Sequence, residues 1–334
     1  MPGAVEFVTN FDSQYLFHGL ALAWSLHRVA PEARLTLVGM DERCVDLLHE
    51  VAPPTSRVVS IRALETPQLR AVKPVRNAGE YCWTCKPTLI RHVLDAAPEA
   101  EAATYLDSDL FFYAHPSLML DELRAGSVLI TAHRFPSRQE WMTGRNGRFN
   151  AGWLSFRRDR DALRVLDWWH AKCIEWCYAV HEPHRYGDQK YLDDWPERFA
   201  GVRVLQRAEV YLAPWNVGAH ALEARDGGVW VDGRAPLCAF HFQGLKVHAP
   251  DRFTLAVDER LRAEARALVF APYLEALQAA MGRVWAVDPQ FSAGFAPRRR
   301  GGVEALKRLK RRVLGKDNLV RYGSPARAQR GAGP

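Results

Sequence analysis

Apolar positions along the chain alternate between short unbroken runs and longer stretches with helical spacing. Val5–Thr9 is a short apolar run of strand length. Gln14–Val29 follows, with Leu16, Leu20, Ala23, Trp24 and His27 at helical spacing. Leu35–Val38 predicts a second strand, Cys44–Val51 a helix and Val58–Ile61 a third strand. Strand and helix in alternation, with strands apolar throughout, predict a parallel sheet covered on both faces. Residues 65–80 are polar and read as a loop. Tyr81–Ala96 predicts a helix that leads into an apolar strand, Ala102–Leu106. Beyond it the pattern predicts a helix over 116–124, a strand at Ser127–Ala132 and a polar loop over 133–149 with Arg134, Arg138 and Arg145. It continues with a strand at Trp153–Phe156, an aromatic-rich helix over Ala162–Tyr178 and a helix start within Tyr186–Trp195. Short strands are expected at Val202–Leu205, Val229–Val231 and Leu237–His241, then a helix over Glu259–Met281.

Composition changes this picture little. The 334 residues are 48 % apolar and 25 % charged, as in soluble globular proteins. No apolar run reaches the roughly 18–20 residues of a membrane span, and the start lacks a basic segment followed by an apolar one. A cytoplasmic setting is expected, with the six cysteines as reduced thiols. The net charge of +7 is concentrated in arginines and lysines between 298 and 312. The body is therefore close to neutral, which argues against a nucleic-acid partner. Past about Pro289 the composition turns to Gly, Pro, Ala and Arg. The expected organisation is a domain over 1–288 and a basic, partly disordered tail over 289–334. Within the tail, 303–314 places Val303, Leu306, Leu309, Val313 and Leu314 near one helical face and basic residues on the other. That is the pattern of an interfacial helix, with an anionic membrane surface as the expected partner.

The chemistry concentrates at Thr104–Phe112, TYLDSDLFF. Side chains two apart on an extended segment point the same way, so Asp107 and Asp109 aim together. Two carboxylates that close repel unless a cation lies between them. A hard divalent ion, Mg2+ or Mn2+, suits such a pair, and ligand phosphates normally complete its coordination. The expected ligand is a nucleotide or diphosphate at the carboxyl ends of the strands, where open α/β sheets bind ligands.

Apolar strand plus LDSD resembles the DxD element of GT-A-fold glycosyltransferases. VTNFDSQYLFHGLALAWSL resembles the first strand, nucleotide loop and first helix of the glycogenin-like (family eight) transferases. RFNAGWLSFRRD resembles their Asn-x-Gly strand, GDQKYL their Asp-Gln helix start and HFQGLK their late His-x-x-Gly element. WTCKPTLI, YLDSDLFFY, GDQKYLDDWP and LAPWN are similar to a large set of bacterial sugar transferases of the nucleotide-diphospho-sugar transferase superfamily. The resemblance runs from about Val5 to Lys246, with the motifs in the family's order.

That resemblance implies an α/β GT-A fold: a mixed, mainly parallel Rossmann-like sheet flanked by helices, with a helical C-terminal extension. The nucleotide-binding half would span about 1–112 and the acceptor half about 113–288. It implies a metal-dependent, retaining transferase that moves a sugar from a UDP-sugar to a glycan or lipid-linked acceptor in envelope polysaccharide synthesis. Asp107, Asp109 and His241 would hold Mn2+ or Mg2+. Thr9, Asn10, Asp12 and Tyr15 would line the nucleotide base, and Asp107 would also reach the ribose. Lys86 would approach the donor, Asn150 and Gly152 would flank the transferred sugar, and Lys246 would pair with the diphosphate. Asp188 and Gln189 would lie by the anomeric carbon, and Trp215 and Asn216 on the acceptor side. The spacing from His241 to Lys246 is one residue shorter than the family's, and Val247 and His248 stand where Pro-Trp normally follows. Two other functions use similar parts: a nucleotidyltransferase that makes nucleotide-sugars, and a non-catalytic sugar- or nucleotide-binding scaffold. The first usually carries a Gly-rich basic loop after the first strand, which TNFDSQYLF lacks. The joint presence of Asp107, Asp109, Asp188 and His241 disfavours the second.

Overall fold

The computed structural model describes residues 4–296 and 310–323. Its strands are β1 (Val5–Phe11), β2 (Arg34–Gly39), β3 (Ser56–Ser60), β4 (Ala102–Leu106), β5 (Leu110–Phe112), β6 (Val128–Ala132), β7 (Phe149–Arg157) and β8 (Val202–Val204). There follow β9 (Tyr211–Leu212), β10 (Leu222–Arg225), β11 (Gly228–Val231), β12 (Ala235–Pro236), β13 (Ala239–His241), β14 (Lys246–Ala249), β15 (Arg252–Thr254) and β16 (Leu319–Arg321). The central sheet has the order β3-β2-β1-β4-β7-β6-β8. Strands β1 to β4 pair in parallel, while β7 runs antiparallel to both β4 and β6. The expected mainly parallel, mixed α/β sheet is therefore present.

Both faces of the sheet are covered. Leu16–Val29 packs against Ala271–Val287, which also meets Glu42–Val51, over one apolar cluster that includes Leu20, Leu47 and Leu277. Ala78–Ala96 packs against Arg160–Glu175 over the second, with Leu89, Val165 and Trp169. The chain runs outward through β1, β2 and β3, then returns to place β4 on the other side of β1. The strand order thus reverses between β1 and β4, and the crevice at their carboxyl ends is where such sheets bind ligands.

Three small sheets surround the large one, in the orders β5-β13-β9, β10-β11-β12 and β14-β15-β16. In the first, β13 pairs antiparallel with β5, with His241 opposite Leu110. The Phe242 N–H also donates to the Asp109 carbonyl at 2.9 Å. A residue more than a hundred positions downstream is thereby stitched to the two acids.

Several expected boundaries move. Residues 65–80 are not a loop throughout. Thr66 caps the helix Pro67–Val72, accepting from Leu69 N at 3.2 Å, and proline sits at the helix start. The next helix begins at Ala78 because Asn77 and Glu80 form a reciprocal capping box: Glu80 N donates to Asn77 Oδ1 at 3.0 Å and Asn77 N to Glu80 Oε2 at 2.9 Å. The strand expected at Trp153–Phe156 extends back to Phe149 and so carries Asn150 and Gly152. The polar loop over 133–149 contains the short helix Trp141–Asn146. Its base is strapped down: the His133 carbonyl accepts from Trp215 Nε1 at 2.7 Å and Asn216 Nδ2 at 3.2 Å. Arg134, with φ of 50°, donates to the Leu205 carbonyl. The late helix starts at Ala263, contains a π-helical stretch at Arg266–Phe270 and runs to Val287. Of the amphipathic helix expected at 303–314, the part up to 309 lies outside the described residues, and 310–313 are helical. Beyond it, β16 returns to pair antiparallel with β15. Among the described residues, no helix is long and apolar enough to cross a membrane.

The capping box makes Asn77→Ala an informative change. It removes the acceptor for Glu80 N and is expected to lower unfolding free energy by about 1 kcal/mol, read from urea titration. An unchanged midpoint would show that the Ala78 end is held by packing alone.

Candidate functional site

The site grows from the end of β4. Tyr105, two residues before Asp107, is buried, and its hydroxyl donates to Asn10 Oδ1 at 2.9 Å, which ties β4 to β1. After Leu106 the chain turns, and Asp107 N donates to the Gly152 carbonyl at 2.8 Å. Asp107, Asp109 and His241 each turn a ligand atom inward, all within 4.8 Å of one another. His241 Nε2 lies 3.0 Å from Asp109 Oδ1 and 3.7 Å from Asp107 Oδ2. Burial alone would push the His241 pKa down, but the adjacent Asp109 and Asp107 carboxylates outweigh it and raise the pKa. Burial would raise Asp109, yet His241 holds it below the usual carboxylate range. Two carboxylate oxygens and one imidazole nitrogen, converging and largely shielded from water, form a donor set suited to a divalent cation.

Beside this trio lies Lys86, only 2 % exposed. Its ammonium sits 2.9 Å from Asp107 Oδ1, 2.9 Å from Asp188 Oδ2 and 3.2 Å from the Ala151 carbonyl, over the Tyr105 ring at 4.8 Å. Burial would lower its pKa, but Asp107 and Asp188 together raise it, so it stays charged. Burial raises Asp188 above the ordinary carboxylate value despite Lys86. The locality holds three carboxylates against one lysine, which leaves room for added positive charge.

The other expected residues divide into two groups. Asn150 and Gly152 join the trio: Asn150 Oδ1 is 3.1 Å from His241 Nδ1 and accepts from Gly152 N at 2.8 Å. Gln189 sits next to Asp188, its side chain donating to the Asn146 carbonyl at 2.8 Å. Tyr15 is half exposed, within electrostatic reach of Asp109, Asp12 and Asp107, with its ring tilted against that of His18 at 5.5 Å. Asp12 serves the start of the first helix, accepting from Gln14 N at 3.0 Å. Asn10, by contrast, spends its amide on the Cys82 carbonyl at 3.2 Å and on Tyr105, and Thr9 is fully buried in β1. Lys246 is exposed at the first position of β14, and among the described residues it has no ion pair. His248 is bound to Thr254 Oγ1 at 2.8 Å.

Some contributors were not anticipated. Tyr211 brings its hydroxyl to 3.3 Å from His241 Nδ1, and Trp215, expected on the acceptor side, also sets its ring edge-on to the imidazole at 5.8 Å, a contact the sequence did not suggest. His18 is buried against Tyr273, at 2.8 Å from its hydroxyl, and burial pushes its pKa down to about 4. Tyr105 carried a signal: its spacing of two from Asp107 on a strand placed both on one face. Nothing in the sequence placed Tyr211 or His18 near the acids, because those contacts are long-range.

No protein-family model matches the chain. It is 30 % identical over 296 residues to YfnD of Bacillus subtilis (strain 168), an uncharacterized protein, covering 88 % of this chain and 95 % of that one. It is 32 % identical over 296 residues to YfnF of the same organism, also uncharacterized, covering 87 % and 97 %. Among solved structures, an active-site mutant of LgtC aligns with a TM-score of 0.51 and 15 % identity, over 83 % of this chain and 95 % of that one. The likeness to LgtC is one of fold. The chain belongs to the family of YfnD and YfnF and is built on the GT-A glycosyltransferase fold.

Proposed function

We propose that this protein is a metal-dependent glycosyltransferase that moves a sugar from a nucleoside-diphosphate donor, a UDP-sugar, to a hydroxyl of a glycan or lipid-linked acceptor in envelope polysaccharide synthesis. The observation that carries the reading is the convergence of Asp107, Asp109 and His241 at the carboxyl end of β4, beside the point where strand order reverses. LgtC, which shares the fold, is a galactosyltransferase crystallised with donor and acceptor sugar analogues.

Mn2+ or Mg2+ would be held by Asp107, Asp109 and His241. When bound, such an ion neutralises charge that develops on a departing diphosphate. Tyr15 offers its half-exposed ring to the nucleobase, and Lys246 offers an exposed cation to the phosphates. Asp188, buried and held by Lys86, orients the transferred sugar by accepting from its hydroxyls. Gln189 presents an uncharged amide near the reacting carbon. It cannot serve as a carboxylate nucleophile, and Asp188 is already tied to Lys86. Both points favour delivery of the acceptor hydroxyl from the face that the leaving group vacates, with retention of configuration. In the domain organisation that accompanies this reading, residues 1–112 bind the nucleotide and 113–288 serve the acceptor, and of the expected tail over 289–334, Phe291 and Leu319–Arg321 pack on that body, on either side of the basic stretch between 298 and 312. The protein would act at the cytoplasmic side, with the tail approaching an anionic membrane surface.

Calorimetric titration of UDP in Mn2+ and in EDTA tests the donor site. Binding is expected in Mn2+ alone, and Asp109→Ala is expected to abolish it. UDP binding that ignores the metal, or survives in the variant, would overturn the donor assignment. Replacing Lys86 by Met leaves Asp107 and Asp188 without their shared buried cation. Loss of one partner of a buried ion pair costs about 3–5 kcal/mol, so the melting temperature should fall sharply. A melting curve within a degree of wild type would mean that water or another cation already compensates the acids.

A further inference from the structure

The identity of the ligand atom on His241 depends on a neighbour. Backbone N–H groups only donate, so the Asn150 side-chain atom that receives Gly152 N–H at 2.8 Å must be its oxygen. The same oxygen lies 3.1 Å from His241 Nδ1. Two acceptors cannot share that contact, so Nδ1 carries the hydrogen. By the same rule Nε2, 3.0 Å from Asp109 Oδ1 and 3.7 Å from Asp107 Oδ2, carries the ring's other hydrogen, and this is the hydrogen that a cation held between the imidazole and the two carboxylates would replace. With Nδ1–H kept on Asn150, that exchange leaves one ring nitrogen and two carboxylate oxygens around a single point.

The backbone is shaped for this. Opposite Ile130 and Thr131 the register of β7 slips: Ile130 pairs with Leu154 and Thr131 with Asn150. The extra residues form a bulge, a device that re-aims side chains. It lets Asn150 reach back to the N–H two residues on. A Cβ on Gly152 would fall 2.6 Å from Asn150 Oδ1 and 2.7 Å from His241 Cε1. Only glycine leaves the space in which amide and imidazole meet.

We propose that Asn150 is a positioning residue for the metal centre: its carboxamide oxygen holds His241 as the Nδ1–H tautomer and so presents Nε2 to the ion. The inference rests on the metal reading above, and it gives Asn150 a task apart from any contact with the transferred sugar. Partners of this kind on metal-bound histidines are worth about 10–100-fold in metal affinity.

The test is Mn2+ binding by the full chain, without nucleotide or sugar, followed by electron paramagnetic resonance. Asn150→Ala is expected to weaken Mn2+ about 10–100-fold, and Asn150→Asp, which keeps an acceptor oxygen for Nδ1–H, to restore most of it. Equal affinity in wild type and Asn150→Ala overturns this inference and leaves the metal reading standing. Wild type that binds no Mn2+ overturns both. Should the alanine variant fold poorly, the wild type answers alone: with Zn2+ as a diamagnetic probe, long-range 1H–15N spectra of the His241 ring should place its proton on Nδ1. A proton on Nε2 overturns the proposal.

Discussion

The structure around the crevice depends on one buried ammonium. Lys86 brings a charge into the interior, where an unpaired ion costs several kcal/mol, and only the carboxylates of Asp107 and Asp188 make that tolerable. Each of the three residues comes from a different element. The capping box at Asn77 sets where the Lys86 helix starts, β4 delivers Asp107, and the turn before the 3-10 helix Lys190–Asp194 delivers Asp188. The Trp169 indole fixes that turn by donating to the Asp188 carbonyl at 2.9 Å. The ion triad therefore adds an electrostatic constraint to the apolar packing of Leu89, Tyr105, Trp169 and Leu192, through which the same pieces meet.

Lys86 neutralises one side of Asp107 and leaves the other side to the pair with Asp109 and His241. Asp107 thus belongs to two sets at once, the metal trio and the ion triad. A cation at the trio and a sugar near Asp188 would be sensed through a single shared carboxylate. His241 is held by quite different means, through strand pairing of β13 with β5 and the surrounding Asn150, Tyr211 and Trp215.

Much of this was legible in the sequence, for a physical reason. Apolar strands alternating with amphipathic helices encode a covered parallel sheet locally, so β1 to β4 and their helices fell close to their expected places. The paired acids announced themselves through two-residue periodicity. The loop expected at 65–80 was misread because its polar residues, Thr66, Asn77 and Glu80, are caps, and caps are polar by necessity. Lys86 looked like a residue free to meet the donor, whereas burial between Asp107 and Asp188 depends on partners 21 and 102 positions away. Asn10 and Thr9 likewise sit where the first strand ends, but tertiary contacts with Tyr105 and Cys82 claim the Asn10 amide. Such long-range pairings leave no periodic trace.

The return of the chain at β16 has a consequence for how the basic stretch can be studied. Leu319–Arg321 hydrogen-bonds to β15, which in turn forms a hairpin with β14, the strand that begins at Lys246. The arginines and lysines between 298 and 312 are therefore bracketed in sequence by two segments that belong to the body. Cutting the chain at 297 would strip β15 of one of its two neighbours and expose a raw sheet edge one strand away from Lys246. Any loss of activity would then mix missing charge with a frayed edge. Charge reversal within the stretch, with β16 kept, separates the two.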